Sequence, residues 1–95
     1  MKVCVETSRG NKGDKIVDRY PCLKCFNLIE IPYKDYYDDD KIKSYIEIES
    51  LGDILMLMDL TKHGIVFHRK SDWDEKMHGK YDCDYIIEIY DDWRE

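Results

Sequence analysis

Ser44-Tyr45-Ile46-Glu47-Ile48-Glu49, then Ser50-Leu51-Gly52-Asp53-Ile54-Leu55-Met56-Leu57-Met58-Asp59-Leu60-Thr61-Lys62-His63, then Gly64-Ile65-Val66-Phe67-His68-Arg69, reads as strand, helix, strand. In the first segment Ile46 and Ile48 share one side, Tyr45 lies opposite, and Glu47 and Glu49 point outward, which is the period-2 pattern of a half-buried strand. In the second, Ser50 stands where an N-cap is needed and Asp53 sits three residues on, where a carboxylate favours free amides and the helix dipole. Lys62 and His63 fall in the last turn, and Gly64 is placed for the left-handed position beyond it. Leu51, Ile54, Leu55 and Met58 form the stripe expected to pack on a sheet. Met56 and Leu60 fall on the opposite side, at ~100° per residue. Either a loop covers them or they carry self-association into a homodimer. If the two strands are parallel, the connection between them is right-handed.

Working outward, Lys2 to Thr7 alternates as a strand, and Ser8 to Asp14 is a turn. Lys15 to Arg19 is expected to return as the second strand of a hairpin, ended by Pro21. Cys25 to Ile31 alternates again and Pro32 closes it. Tyr33 to Lys43 and Lys70 to Lys80 are polar loops, and Tyr81 to Tyr90 is a final strand. A chain of 95 residues with 43% hydrophobic content supports one domain, 1–95, with a modest core. The fold class expected is α+β: a mixed or antiparallel sheet of four to six strands with one helix on one face.

Charge is distributed unevenly. Residues 1–34 hold seven Lys/Arg against four Asp/Glu, and residues 35–95 hold eight against seventeen, for a net −6. The acids cluster with aromatic rings. Tyr36, Tyr37, Asp38, Asp39 and Asp40 form one set, and Tyr90, Asp91, Asp92 and Trp93 another, and both are read as partner-binding residues. Carboxylates along an exposed edge attract a basic protein, and interleaved rings supply contact area at small entropic cost. The same charge argues against direct nucleic-acid binding. The longest apolar run, Ile54 to Met58, is too short for a membrane span, and Met1 to Glu6 has no signal-peptide pattern. A cytoplasmic protein with reduced cysteines is therefore expected.

Chemistry is sparse. Cys22-Leu23-Lys24-Cys25 can clamp a metal or form a redox pair, but it is half of a zinc site. The available completions are His78 with Cys83, His63 or His68, and Cys4, and the set Cys22, Cys25, His78 and Cys83 defines the alternative of a zinc-stabilised CxxC binding module. No cofactor is otherwise expected. Asn11-Lys12-Gly13-Asp14 matches the guanine-reading NKxD element, yet without a phosphate loop it reads as a turn. His63, His68 and His78 are too scattered to define catalysis. Asp82 with Asp84 and Asp91 with Asp92 lack an EF-hand context. No catalytic residue is assigned and the chain is not expected to be an enzyme.

The chain has no Ala and no Gln and is rich in Ile, Lys, Asp and Tyr, a usage matching AT-rich genes. In size, acidity, Tyr/Asp content and AT-rich usage it resembles the small acidic inhibitors of phages and mobile elements, of which anti-CRISPR proteins are one group. That resemblance implies stoichiometric blocking of a basic, nucleic-acid-handling enzyme in evasion of antiviral defence. It carries over no functional residue. An antitoxin or immunity protein against a nuclease uses the same acidic-patch physics.

Overall fold

The computed structural model describes residues 1–8, 15–33, 41–73 and 81–91. Strand β1 (Lys2–Thr7) leads to one helical turn, α1 (Ile16–Arg19), and a 3-10 helix (Pro21–Phe26), then to β2 (Ile29–Tyr33) and β3 (Lys41–Glu47). Helix α2 (Leu51–Thr61), β4 (Ile65–Arg69), a short 3-10 turn (Lys70–Asp72) and β5 (Tyr85–Ile89) follow. The strands form a mixed sheet in the order β2-β3-β1-β5-β4. β1 and β5 are parallel neighbours at its centre, with Val3 beside Tyr85 and Thr7 beside Ile89. The other pairs are antiparallel. The α+β class, with the main helix on one face, is the class that the alternation patterns predict.

Residues 15–31 fold differently from their alternation. Lys15 to Arg19 is not a hairpin strand. Ile16 and Tyr20, four apart, are buried together with Val17, so the segment gains more as a helical turn against the core than as an edge strand. Pro21 opens the 3-10 helix rather than ending an element, since a missing N–H costs nothing at a helix start. Asn27 takes the left-handed conformation (φ 55°, ψ 51°) and separates that helix from β2, which therefore starts at Ile29 instead of Cys25. Pro32 lies inside β2 opposite Ile42, which is tolerated because β2 is an edge strand.

Helix α2 is rotated relative to the expected stripe. Leu57 and Thr61 are buried and Ile54 packs partly on the core, while Leu51, Leu55 and Met58 are exposed. Met56 and Leu60 are exposed as well, so no described loop covers them. The rotation has a physical reason. Apolar residues surround α2, so no single stripe dominates, and the hydroxyl of Thr61 donates to the Leu57 carbonyl at 2.7 Å, which lets Thr61 enter the core as a methyl group. At the helix start Ser50 holds the N-cap backbone position without a side-chain bond, and the Asp53 carboxylate accepts from the Glu49 amide at 2.8 Å. At the other end Lys62, not Gly64, adopts the left-handed turn (φ 63°), its amide donating to the Met58 carbonyl.

Alternation along the strands divides the buried side chains into two layers. On the helix side Val3, Val5, Ile46, Ile48, Ile87 and Ile89 meet Ile16, Tyr20, Leu23, Phe26 and Leu57. On the other side Cys4, Tyr45 and Ile86 meet Tyr81, with Trp73, Cys83 and Ile31 at the margin. Trp73, Tyr81 and Cys83, between β4 and β5 in the chain, thus supply cover for the second face.

Candidate functional site

The second face is built from polar and aromatic groups that satisfy one another. Trp73 donates its indole N–H to the Tyr81 hydroxyl at 2.6 Å, and that hydroxyl donates to Glu6 at 3.0 Å. The ring of Trp73 lies against His68, with ring centres 4.5 Å apart and planes tilted by 50°, and His68 pairs with Glu88 at 2.9 Å. Lys43 is 2% exposed, and its ammonium lies 3.7 Å from the ring centres of both Tyr33 and Tyr81, a double cation–π contact. Lys2 pairs with Asp82, whose amide donates to the Tyr45 hydroxyl at 3.0 Å. Burial, with Glu6 close by, pushes Tyr81 and Cys4 far upward. Burial pushes Tyr45 up to about 12. Burial also raises the thiols of Cys22 and Cys83. These groups stay protonated at neutral pH, so Cys4, Cys22 and Cys83 are not activated nucleophiles. The ammonium of Lys2 holds the Asp82 carboxyl below the usual carboxylate range. This face is a closed structural network.

A second network closes the end of the sheet where β1 and β5 finish. Asp91, 1% exposed, accepts from Ser8 at 3.0 Å, from Tyr20 at 2.8 Å and from Arg19 at 3.2 Å, and Arg19 also donates to Thr7 at 2.9 Å. Asp91 therefore does not belong to an exposed acidic surface, where its sequence neighbours had placed it. A carboxylate with three donors is retained inside because they replace its lost hydration. Its neighbour Tyr90 is exposed. The remaining sequence-assigned partner residues, Tyr36, Tyr37, Asp38, Asp39, Asp40, Asp92 and Trp93, lie outside the described residues.

The sheet also separates the proposed zinc ligands. Cys22 packs with the helix-side layer, Cys83 packs with the opposite layer, and Cys25 is exposed on the 3-10 helix. Cys22 and Cys83 cannot share one ion across the sheet, and His78 lies outside the described residues. Among the described residues no three His, Cys, Asp or Glu groups converge on a metal position. Asp82 and Asp84 precede β5 and are exposed.

What the fold leaves open is apolar. Leu51, Leu55, Met56, Met58 and Leu60 on α2 expose between 37% and 72% of their surface. Phe67 and Tyr85 share the helix side of β4 and β5 and are 40% and 39% exposed. β3 and β4 run in the same direction on either side of β1 and β5, and α2 connects them. Around α2, Leu51, Leu55 and Met58 share one flank and Met56 and Leu60 the other, with the buried Leu57 and Thr61 between them. The helix packs against the Pro21–Phe26 helix. Asp53 lies on the flank of Met56 and Leu60, Asp59 stands one turn after Leu55, and Glu49 precedes the helix. Val66, beside Glu88, is exposed on the opposite face of the sheet. Periodicity missed the exposed flank of α2 because it assigned Leu51, Leu55 and Met58 to the core. Comparison of the chain with protein-family models, with curated proteins and with solved structures finds no match.

Proposed function

We propose that this protein is a small binding module that docks on a basic protein and does no chemistry of its own. The observation that supports this reading best is the exposed apolar flank of α2, Leu51, Leu55 and Met58, with Phe67 and Tyr85 also exposed on the helix side of the sheet. Apolar side chains left at this density favour a partner that covers them. The net charge of −6 selects a partner of opposite charge. In its most specific form the reading is a stoichiometric inhibitor that occupies a basic, nucleic-acid-handling enzyme of the cytoplasm, an anti-CRISPR-like role in phage evasion of defence.

The test compares the full chain with a Leu51→Glu, Leu55→Glu, Met58→Glu variant as baits in an AT-rich bacterial lysate at low and high salt. The expected outcome is a basic enzyme retained by the native chain alone, whose activity on nucleic acid falls to zero at one equivalent of native protein and is untouched by the variant. Equal retention by both baits, or a retained enzyme with undiminished activity at tenfold excess, rules the reading out.

A further inference from the structure

The two edges of the sheet are unequal. β2 carries Pro32 within it, and its Glu30 pairs with Lys15 at 3.6 Å, both devices that discourage a further strand. β4 has no proline, and its Ile65-Val66-Phe67-His68-Arg69 run has the composition of a pairing strand. The backbone phase of β4 follows from its bonds to the neighbouring chain. The Tyr90 amide donates to the Gly64 carbonyl at 2.8 Å, and the Lys70 amide donates to the Asp84 carbonyl at 2.9 Å. Antiparallel pairing alternates, so residues 64, 66, 68 and 70 face β5, and the N–H and C=O groups of Ile65, Phe67 and Arg69 face away from it. Among the described residues no strand pairs on that side.

We infer that β4 accepts an added strand from a basic partner, bonded to the backbones of Ile65, Phe67 and Arg69, with alternate apolar side chains on the helix side beside Ile65 and Phe67. This rests on the docking reading above and names its mode. Strand addition joins two observations that otherwise stand apart: main-chain groups at the edge give affinity, and the exposed ring of Phe67 on the helix side gives an apolar surface to every second side chain. Charge decides the occupant. The chain carries a net −6, and Arg69 at the end of β4 is already paired with Asp72 at 3.2 Å. A strand alternating apolar and basic residues lays its apolar side chains on the helix side and its cations on the opposite face, and the net charge draws it in. A second copy of this chain brings −6 against −6.

The probe is a synthetic peptide of alternating valine and lysine, added to the full isotope-labelled chain and followed by amide NMR and hydrogen exchange. Three controls accompany it: a valine–glutamate analogue, a valine–lysine peptide N-methylated along one edge, and sedimentation equilibrium of the chain alone. The expected result is protection of the Ile65, Phe67 and Arg69 amides by the valine–lysine peptide. Binding should be absent for the glutamate analogue and weakened at least about tenfold by N-methylation, since each lost backbone bond is worth ~1 kcal/mol. Peptide binding that shifts α2 signals and leaves the β4 amides unprotected overturns strand addition while the docking reading stands. No binding of the peptide, or protection of β4 by a concentration-dependent dimer, overturns the assigned occupant.

Discussion

The two faces of the central sheet solve the same burial problem with different chemistry. The helix side is covered by aliphatic and aromatic hydrocarbon, and nearly all of its strength comes from area removed from water. The opposite side is covered by Trp73 and Tyr81, which lie over Lys43 and Glu6, and these polar ends are each held by a partner. A hydrocarbon face is indifferent to pH and sensitive to volume. A face of buried ionisable groups is sensitive to pH and to single atoms. Perturbing each face on its own separates these two behaviours.

Alkaline titration should give the largest effect and should act chiefly on the second face, with Cys22 the raised group on the helix side. Cys4, Tyr45 and Tyr81 have folded pKa values raised above their usual 9.0, 10.0 and 10.0. Their protonated forms are favoured in the native state. Their contribution is complete below the unfolded values and is lost as pH rises through the folded ones. Each group lowers stability by about 1.4 kcal/mol per pH unit above its unfolded pKa. Urea unfolding should therefore show a steepening loss from pH 9 onward, with Tyr45 ceasing to contribute slope near its folded value of about 12. A Cys4→Ala chain should show a shallower loss between pH 9 and 10, where Cys22 and Cys83 still contribute. A flat profile between pH 8 and 11 would mean that the second face is open to water.

Leu57→Ala comes next and acts on the helix side. Leu57 is fully buried between α2 and the sheet. Truncation should cost about 2–5 kcal/mol through lost burial and a residual cavity. The loss should be the same at pH 6 and pH 8, a check that distinguishes a volume effect from a charge effect.

Tyr81→Phe should cost less, about 1–3 kcal/mol, since the ring remains over Lys43 while Glu6 loses a donor and Trp73 an acceptor. Near-ultraviolet circular dichroism of Trp73 should change with it, as the indole loses the bond that orients it.

These faces were not equally legible in the amino-acid order. The helix-side layer follows from alternation, because Val3, Val5, Ile46, Ile48, Ile87 and Ile89 occupy every second position of their strands. The second face was hidden, since Lys43 and Glu6 read as outward polar positions until Tyr81 and Trp73 fold back across them. Nothing local marks residues separated by 75 positions as partners. Ile16–Arg19 departs from its alternation for a related reason: Ile16, Val17 and Tyr20 are buried against the core, and Arg19 reaches Thr7 and Asp91 far away in sequence. The docking surface was half legible. The apolar character of α2 was plain, but its rotation depended on Thr61 taking a core position that composition assigns to Leu51 or Leu55.

The smallest expected effect on stability is the most informative about α2. Leu55 lies two positions before Leu57, has the same side chain, and is 59% exposed where Leu57 is fully buried. Leu55→Glu removes apolar surface that folding leaves in water. It also adds an anion in the first half of the helix, where the dipole favours negative charge. The change should shift the unfolding midpoint by no more than about 0.5 kcal/mol. If α2 were rotated to bury Leu51, Leu55 and Met58, the same substitution would place a carboxylate in the core and cost several kcal/mol. Measured beside Leu57→Ala, Leu55→Glu thus reads the rotation of the helix directly. A near-silent change in stability, together with loss of binding to a cognate partner, assigns the flank to recognition and not to folding.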